Sequence, residues 1–395
     1  MGGHAAGEVA SALAVRQLHD ILREEAETLA RFQRGEASAK TVLALLQTAV
    51  QRASSRIHEQ ATSDASKRGM GTTLSALLFL GNHGFVAHVG DSRIYLLRNG
   101  RISQITDDHT VINELMKRGK LSREQIDRVA QKNAITRAVG VYERVEVDTV
   151  LIETAPGDAF LICSDGLHGY FEAEEEMIPY LRPSMGEQCA AALVAVANDR
   201  GGKDNITAVI VRLEASPGDV GEGRAEKLET KRRILAKMPL FVRLSKRELL
   251  RIMQIAEVVA FQDGEYILRE GQVGDELFVV LSGQVRVSCK ETYLTTLGPG
   301  DHLGELALLR SAPRGMTATS DGPSELVRFR RHDFFEILRT EPELSVKLLW
   351  QFLGVVADRL DQTTLDLGKA REQLELEDIT DDVFLPPPFS CRGAL

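Results

Sequence analysis

The spacing of apolar residues changes several times along the chain, and the changes divide it. Near the start, Val9, Leu13, Leu18, Ile21 and Leu22 recur at helical intervals through EVASALAVRQLHDILREEAETLARF, which predicts an amphipathic helix. SAKTVLALLQTAVQRASSRIHEQ predicts a second long one. From Thr73 the pattern shortens to strand-like runs: TLSALLFL, HGFVAHV, RIYLLR, VEVDTVLIET, DAFLICS and ITAVIVRL. Gly-Asn, Gly-Asp and Asn-Gly turns punctuate them. Long helices with many antiparallel-type strands predict an α+β sandwich.

The pattern stops at EASPGDVGEGRAEKLETKRR, residues 214 to 233, which reads as a linker turning into a charged helix. This divides the chain into a block over 1–213, a linker over 214–235 and a block over 236–360. The second block opens with RRILAKMPLFVRLSKRELLRIMQIA, which predicts one helix. Short strands joined by Gly turns follow, and they suggest a β-roll or jelly roll. HDFFEILRTEP and ELSVKLLWQFLGVVADRL close the block as helices. Beyond it the chain turns acidic and reaches LPPPFSCRGAL, so residues 361–395 are expected to be a disordered tail. No repeat of fixed period is visible.

Composition narrows the classes. The 395 residues fit two domains rather than one. A net charge of −9 argues against a broad nucleic-acid surface, though not against a local basic pocket for one phosphate. Cys163, Cys189, Cys289 and Cys391 are scattered without a Cys-x-x-Cys pair, which fits free thiols in a reducing compartment. No apolar run is long enough for a membrane span, and the start carries no signal-peptide pattern. Ala6 breaks the myristoylation pattern that Met1-Gly2 opens. The expected location is the cytoplasm.

Three aspartates stand at strand-end turns: Asp91 in HVGDSRIYLL, Asp165 in FLICSDGLHG and Asp204 in GGKDNITAVIV. Singly, each fits an Asx-turn. Converging, they would need cations between them, and such hard oxygen ligands suit Mg²⁺ or Mn²⁺. These stretches, with GGHAAGEVAS, GMGTTLSALL, ITDDHTVINELMKRG, NAITRAVG and PGDAFLICSDGL in order, resemble the metal-dependent serine/threonine protein phosphatases of type 2C. The resemblance covers residues 1 to 213 and implies a β-sandwich flanked by helix pairs. It implies that Asp165 and Asp204 bind the core metal, that Asp91 joins Asp165 at a third ion, and that His4 is the general acid. The stretch from Thr106 to Asn133 resembles the family's flap beside the substrate. The family's start motif reads Asp-Gly-Met-Gly-Gly-His, and this sequence begins at that Met. The expectation is that translation starts upstream, with a short pseudophosphatase as the rival, and that the chain as written turns over little phosphopeptide with Mn²⁺.

The second block carries LGELALLRSAPRGMTATS, with Glu305 and Arg314 nine residues apart. A buried Arg behind a Gly-opened turn grips one phosphate, while a carboxylate beside it demands a hydroxyl partner. Backbone N–H groups of a short helical turn add donors. The stretch resembles the phosphate cassette of cyclic nucleotide-binding domains, over about residues 236 to 360. The resemblance implies that Glu305 takes the ribose hydroxyl and Arg314 the cyclic phosphate, with backbone groups of Gly304, Leu306, Ala307 and Gly315 lining the cassette. Gly315 lacks the hydroxyl associated with cGMP, which leans to cAMP. Together the blocks imply a phosphatase acting on phosphoproteins under cyclic-nucleotide control. The rival is a nucleotide sensor built on a dead scaffold. Neither resemblance implies a nucleic-acid or membrane partner.

Overall fold

The protein is described by a computed structural model covering residues 6–117, 134–182, 186, 188–214 and 223–381. Seven strands build the first block: β1 Leu74–Leu80, β2 His83–Val89, β3 Arg93–Arg98, β4 Arg101–Gln104, β5 Asp148–Glu153, β6 Ala159–Cys163 and β7 Ala208–Arg212. They form two antiparallel sheets, ordered β1-β2-β5 and β4-β3-β6-β7. Alternation along each strand assigns the faces. Val86, Ile94, Leu96, Val150, Ile152 and Phe160 meet between the sheets. Phe85, Ala87 and Val89 turn outward onto helices Gly7–Glu24 and Ala39–Ser63. Tyr95, Leu97 and Leu161 turn the other way, under helix Cys189–Asp199. The block is the expected helix-flanked α+β sandwich.

Element ends follow local chemistry. Ser38 caps the second long helix by accepting the Thr41 N–H. The helix expected over residues 8 to 32 breaks at Glu25 (φ −93°, ψ 18°) into Gly7–Glu24 and Ala26–Gln33. The helix expected over residues 232 to 256 is also two, Arg224–Lys237 and Lys246–Gln254. Pro239 follows the first and has no N–H to donate. Ser245 and Glu248 start the second with a reciprocal capping box.

The second block is a roll built on two long strands, Glu276–Cys289 and Thr317–Arg330, paired along most of their length. Ala256–Phe261 pairs with the second and Thr292–Leu297 with the first. Phe278, Val280, Ala318 and Leu326 fill its interior. Leu277, Val279, Val327 and Phe329 alternate outward onto Phe241, Ile252, Phe334, Leu348 and Phe352 of the surrounding helical segments.

One expectation is overturned. The tail expected from residue 361 is helical through Asp381, as part of the 40-residue helix Pro342–Asp381. No proline interrupts that stretch before Pro386, and Gly368 alone is a poor helix former of the kind that breaks one. Gln362 donates to Asp366 one turn on, at 3.0 Å.

The blocks are pinned together. Lys231 is buried and donates to Glu153 at 2.8 Å. Gln254 donates to the Leu151 carbonyl at 3.0 Å, and Leu250 packs against the cluster between the sheets. Among the described residues, no helix is long and apolar enough to cross a membrane.

Candidate functional site

The acidic site grows from close-packed turns. Gly90 sits at φ +111°, and a Cβ there would lie 2.4 Å from Thr73, so β2 can turn into Asp91 only with glycine. The Asp91 carbonyl accepts the His168 Nε2–H at 3.0 Å, which ties this turn to the one carrying Asp165. A Cβ on Gly166 would lie 2.4 Å from the Asn205 carbonyl oxygen and 3.5 Å from Asp204 Cβ. Glycine therefore lets the Asp165 and Asp204 turns meet. Asp165 also accepts the Gly166 N–H at 2.9 Å, and Asp204 the Asn205 N–H at 2.7 Å, each bond reaching one residue on rather than the two of an Asx-turn.

Burial, then the Asp165 charge, then the Asp108 charge, push the Asp91 carboxyl up to about 6. This crowding of oxygen donors is what a bound divalent cation relieves, so Asp91, Asp165 and Asp204 fit such an ion. Their oxygens are not closed into one tight ring. Among the described residues, only His332, Asp333 and Glu336 have three ligand atoms within 4.8 Å of one another, at the surface of a roll helix. His4 lies outside the described residues, as do residues 118–133 of the flap; Thr106 to Lys117 are described.

The sequence reading missed the residues behind this site. His109 accepts the Gly90 N–H on Nδ1 at 3.0 Å, so its ring proton sits on Nε2, 3.4 Å from Asp148. Asp148 also takes Arg137 at 3.1 Å and Arg247 at 2.5 Å. Arg247 grips Asp107 as well. Burial alone would raise the Asp148 carboxyl; the His109 hydrogen bond and the Arg247 and Arg137 charges outweigh it and hold the carboxyl below its ordinary value. Arg247 belongs to helix Lys246–Gln254 in the second block. The contact spans 140 residues from Asp107, and no local spacing announces it.

The second site is marked by unpaired polar atoms. Among the described residues, four buried side-chain atoms lack a hydrogen-bond partner, and three are His302 Nε2, Glu305 Oε2 and Arg314 Nε. Such atoms are rare in folded proteins and mark places where a ligand completes the bonding. Arg314 donates to the Glu276 carbonyl at 2.8 Å and the Gly304 carbonyl at 3.4 Å. A Cβ on Gly274 would fall 2.5 Å from the guanidinium, so Arg314 lies flat on bare backbone. Burial lowers the Arg314 pKa, against the raising charges of Glu276, Asp275 and Glu305. Glu305 is 1% exposed, and its other oxygen is held by Arg359 of the terminal helix.

Gly304 adopts φ +81°, and the Ala307 N–H already bonds the Gly304 carbonyl at 3.0 Å. Leu306 opens the short helix Leu306–Leu309 with its side chain exposed, and Gly315 has open space above its Cα. His302 and Arg359 escaped the sequence reading. His302 could have been found in PGDHLG, two residues before Gly304.

A helix-flanked sandwich with convergent acidic turns, followed by a roll with a buried Glu and Arg at one cassette, is the plan of a metal-dependent phosphatase fused to a cyclic nucleotide-binding domain. Residues 1–195 match the Protein phosphatase 2C model and residues 258–341 the Cyclic nucleotide-binding domain model. Over 212 residues the chain is 39% identical to Serine/threonine phosphatase stp of Listeria innocua serovar 6a, covering 53% of this chain and 81% of that protein. It is 38% identical over 210 residues to Serine/threonine protein phosphatase PstP of Mycobacterium tuberculosis, covering 53% of this chain and 38% of that one. The crystal structure of a PstP catalytic domain in complex with two manganese ions aligns at 35% identity and TM-score 0.43, over 54% of this chain and 85% of that one. The chain belongs to the protein phosphatase 2C family.

Proposed function

We propose that this chain is a Mn²⁺- or Mg²⁺-dependent protein serine/threonine phosphatase whose turnover of phosphoserine and phosphothreonine is set by cyclic nucleotide, with cAMP preferred. Asp91, Asp165 and Asp204 would hold the ions. Bound there, the metal lowers the pKa of a coordinated water and neutralises phosphoryl oxygens. His4 is assigned the proton for the departing serine or threonine oxygen. The flap residues from Thr106 stand beside the substrate.

One observation carries the regulatory half: Arg247, from the nucleotide-binding side, is bonded to Asp148, which faces His109, which in turn holds the Gly90 N–H next to Asp91. The route continues outward. Lys347 of the terminal helix bonds Glu248 at 2.7 Å, and Glu341 bonds Arg251 at 3.1 Å. Glu248 and Arg251 share the helix of Arg247. The terminal helix also supplies Arg359 to Glu305. A ribose hydroxyl arriving at the open Oε2 of Glu305 competes with Arg359 for the charge of the same carboxylate, and the shift passes along this helix to Arg247. Such coupling needs different nucleotide affinity in the two arrangements.

The test is phosphopeptide turnover with Mn²⁺, with and without saturating cAMP, in the protein as its host expresses it. The expected result is turnover that changes with cAMP, and an Arg247→Ala variant that binds cAMP but no longer responds. Turnover indifferent to cAMP sinks the regulatory reading. Binding without turnover leaves a nucleotide-binding module.

A further inference from the structure

The terminal helix has two faces. Leu344, Leu348 and Phe352 are buried against the roll. Val346, Leu349, Trp350 and Leu353 on the other side are 48 to 69% exposed. The exposed side does not end where the roll does. Leu360 and Leu367 continue it at 65% and 55% exposure. Val346, Leu353, Leu360 and Leu367 stand seven residues apart, and Leu374 falls on the same register. A strict seven-residue apolar repeat is the spacing of a left-handed coiled coil, since a lone straight helix has no reason to keep it. A projecting helix with no packed face is marginal in water, so this stripe calls for a partner.

The charges beside the stripe say which partner. Taking Val346 as the first core position of the heptad, Asp366 falls just before a core leucine and Arg371 five residues later. In a parallel, in-register pair of identical helices these two positions face each other across the seam, once on each side. Both residues are exposed, and Asp366 accepts from Gln362 of its own helix at 3.0 Å. Leu349 fills the first alternate core position; Val356, at the next, also packs against the roll, and the smaller Thr363 and Ala370 fill the later ones. Leu365 lies off the stripe.

We propose that the terminal helix pairs with the same helix of a second copy of this chain, parallel and in register, as a two-stranded coiled coil over Val346 to Arg371. Trp350 sits at the edge of that seam and is the chain's one tryptophan, so its emission reports pairing directly.

The experiment is sedimentation equilibrium and tryptophan emission of the full chain across the micromolar range. The expected mass is twice 43.5 kDa, with Trp350 emission shifting to the blue as concentration rises. Leu353→Glu with Leu360→Glu, both at exposed positions, should weaken association by at least about a hundredfold. Asp366→Arg should weaken it on the order of tenfold, and adding Arg371→Asp should restore it. A monomer at every concentration overturns the proposal, as does a dimer indifferent to the leucine substitutions. A dimer in which the charge reversal has no effect overturns the parallel register.

Discussion

Arg314 and Glu305 are each left one bond short, and that imbalance predicts how they respond to change. On the proposed role of Arg314, Arg314→Ala would remove its contact to the cyclic phosphate, and cAMP affinity should fall about a hundredfold or more by calorimetry, on the order of 3 kcal/mol. A second residue-scale prediction concerns pH. His88 is buried between Ser75, which bonds Nδ1 at 2.9 Å, and the Asp107 carbonyl, 3.0 Å from Nε2. Burial first, and the neighbouring His109 second, lower its pKa to about 4. A histidine held neutral in the fold while the unfolded chain can protonate stabilises fully above about pH 6.5, and that stability is lost as pH falls toward 4. The loss is on the order of 3 kcal/mol. Urea midpoints between pH 4 and 7 should therefore slope less steeply in His88→Asn than in the parent chain. Sequence made Glu305 and Arg314 legible because their nine-residue interval is local. Arg359 was not legible: it lies within the expected helix, but its contact with Glu305 spans 54 residues and no local spacing announces it.

At the scale of elements, the strands of the sandwich could be read because their alternation survives in the sequence. Val86 faces the inter-sheet core while Phe85 and Ala87 face the helices, as period two requires. The break between helices Arg224–Lys237 and Lys246–Gln254 was missed because apolar residues keep recurring across it: Ile234, Leu240, Leu244 and Leu249 all pack on one cluster. Only Pro239 and the Ser245–Glu248 pair mark the interruption, and both were present to be read. Ser245→Ala should cost about 1 kcal/mol in a thermal or urea melt. The seven-residue repeat was hidden for a related reason. Divided between an expected helix and an expected tail, it was too short on either side to register.

The whole molecule is two blocks held by a half-buried polar seam. Arg247 meets Asp107 and Asp148, and Lys231 meets Glu153. Pairs of this kind add little net stability when complete but are strongly destabilising when one partner is removed. Arg247→Ala should cost about 3 to 5 kcal/mol. It should also give two separate unfolding transitions in calorimetry where the parent chain is expected to show one, because the blocks then melt apart. Restoring charge balance with Asp148→Asn should recover part of that loss. None of these contacts could be read from the sequence, since each joins positions 78 to 140 residues apart whose own surroundings look like ordinary charged surface.

The contact between Arg359 and Glu305 has a further consequence for how such a protein would read concentration. A guanidinium tethered to the same chain is a competitor that dilution does not remove. The half-maximal dose of a ligand needing Glu305 is then the intrinsic dissociation constant divided by the fraction of molecules with that contact open. If about 10% are open, the threshold stands about tenfold above the intrinsic value. Arg359→Ala should move the dose–response curve to lower nucleotide concentration, by about tenfold in titration calorimetry, without altering a residue of the cassette. The sensitivity of the response is thus adjustable from a helix outside the binding pocket.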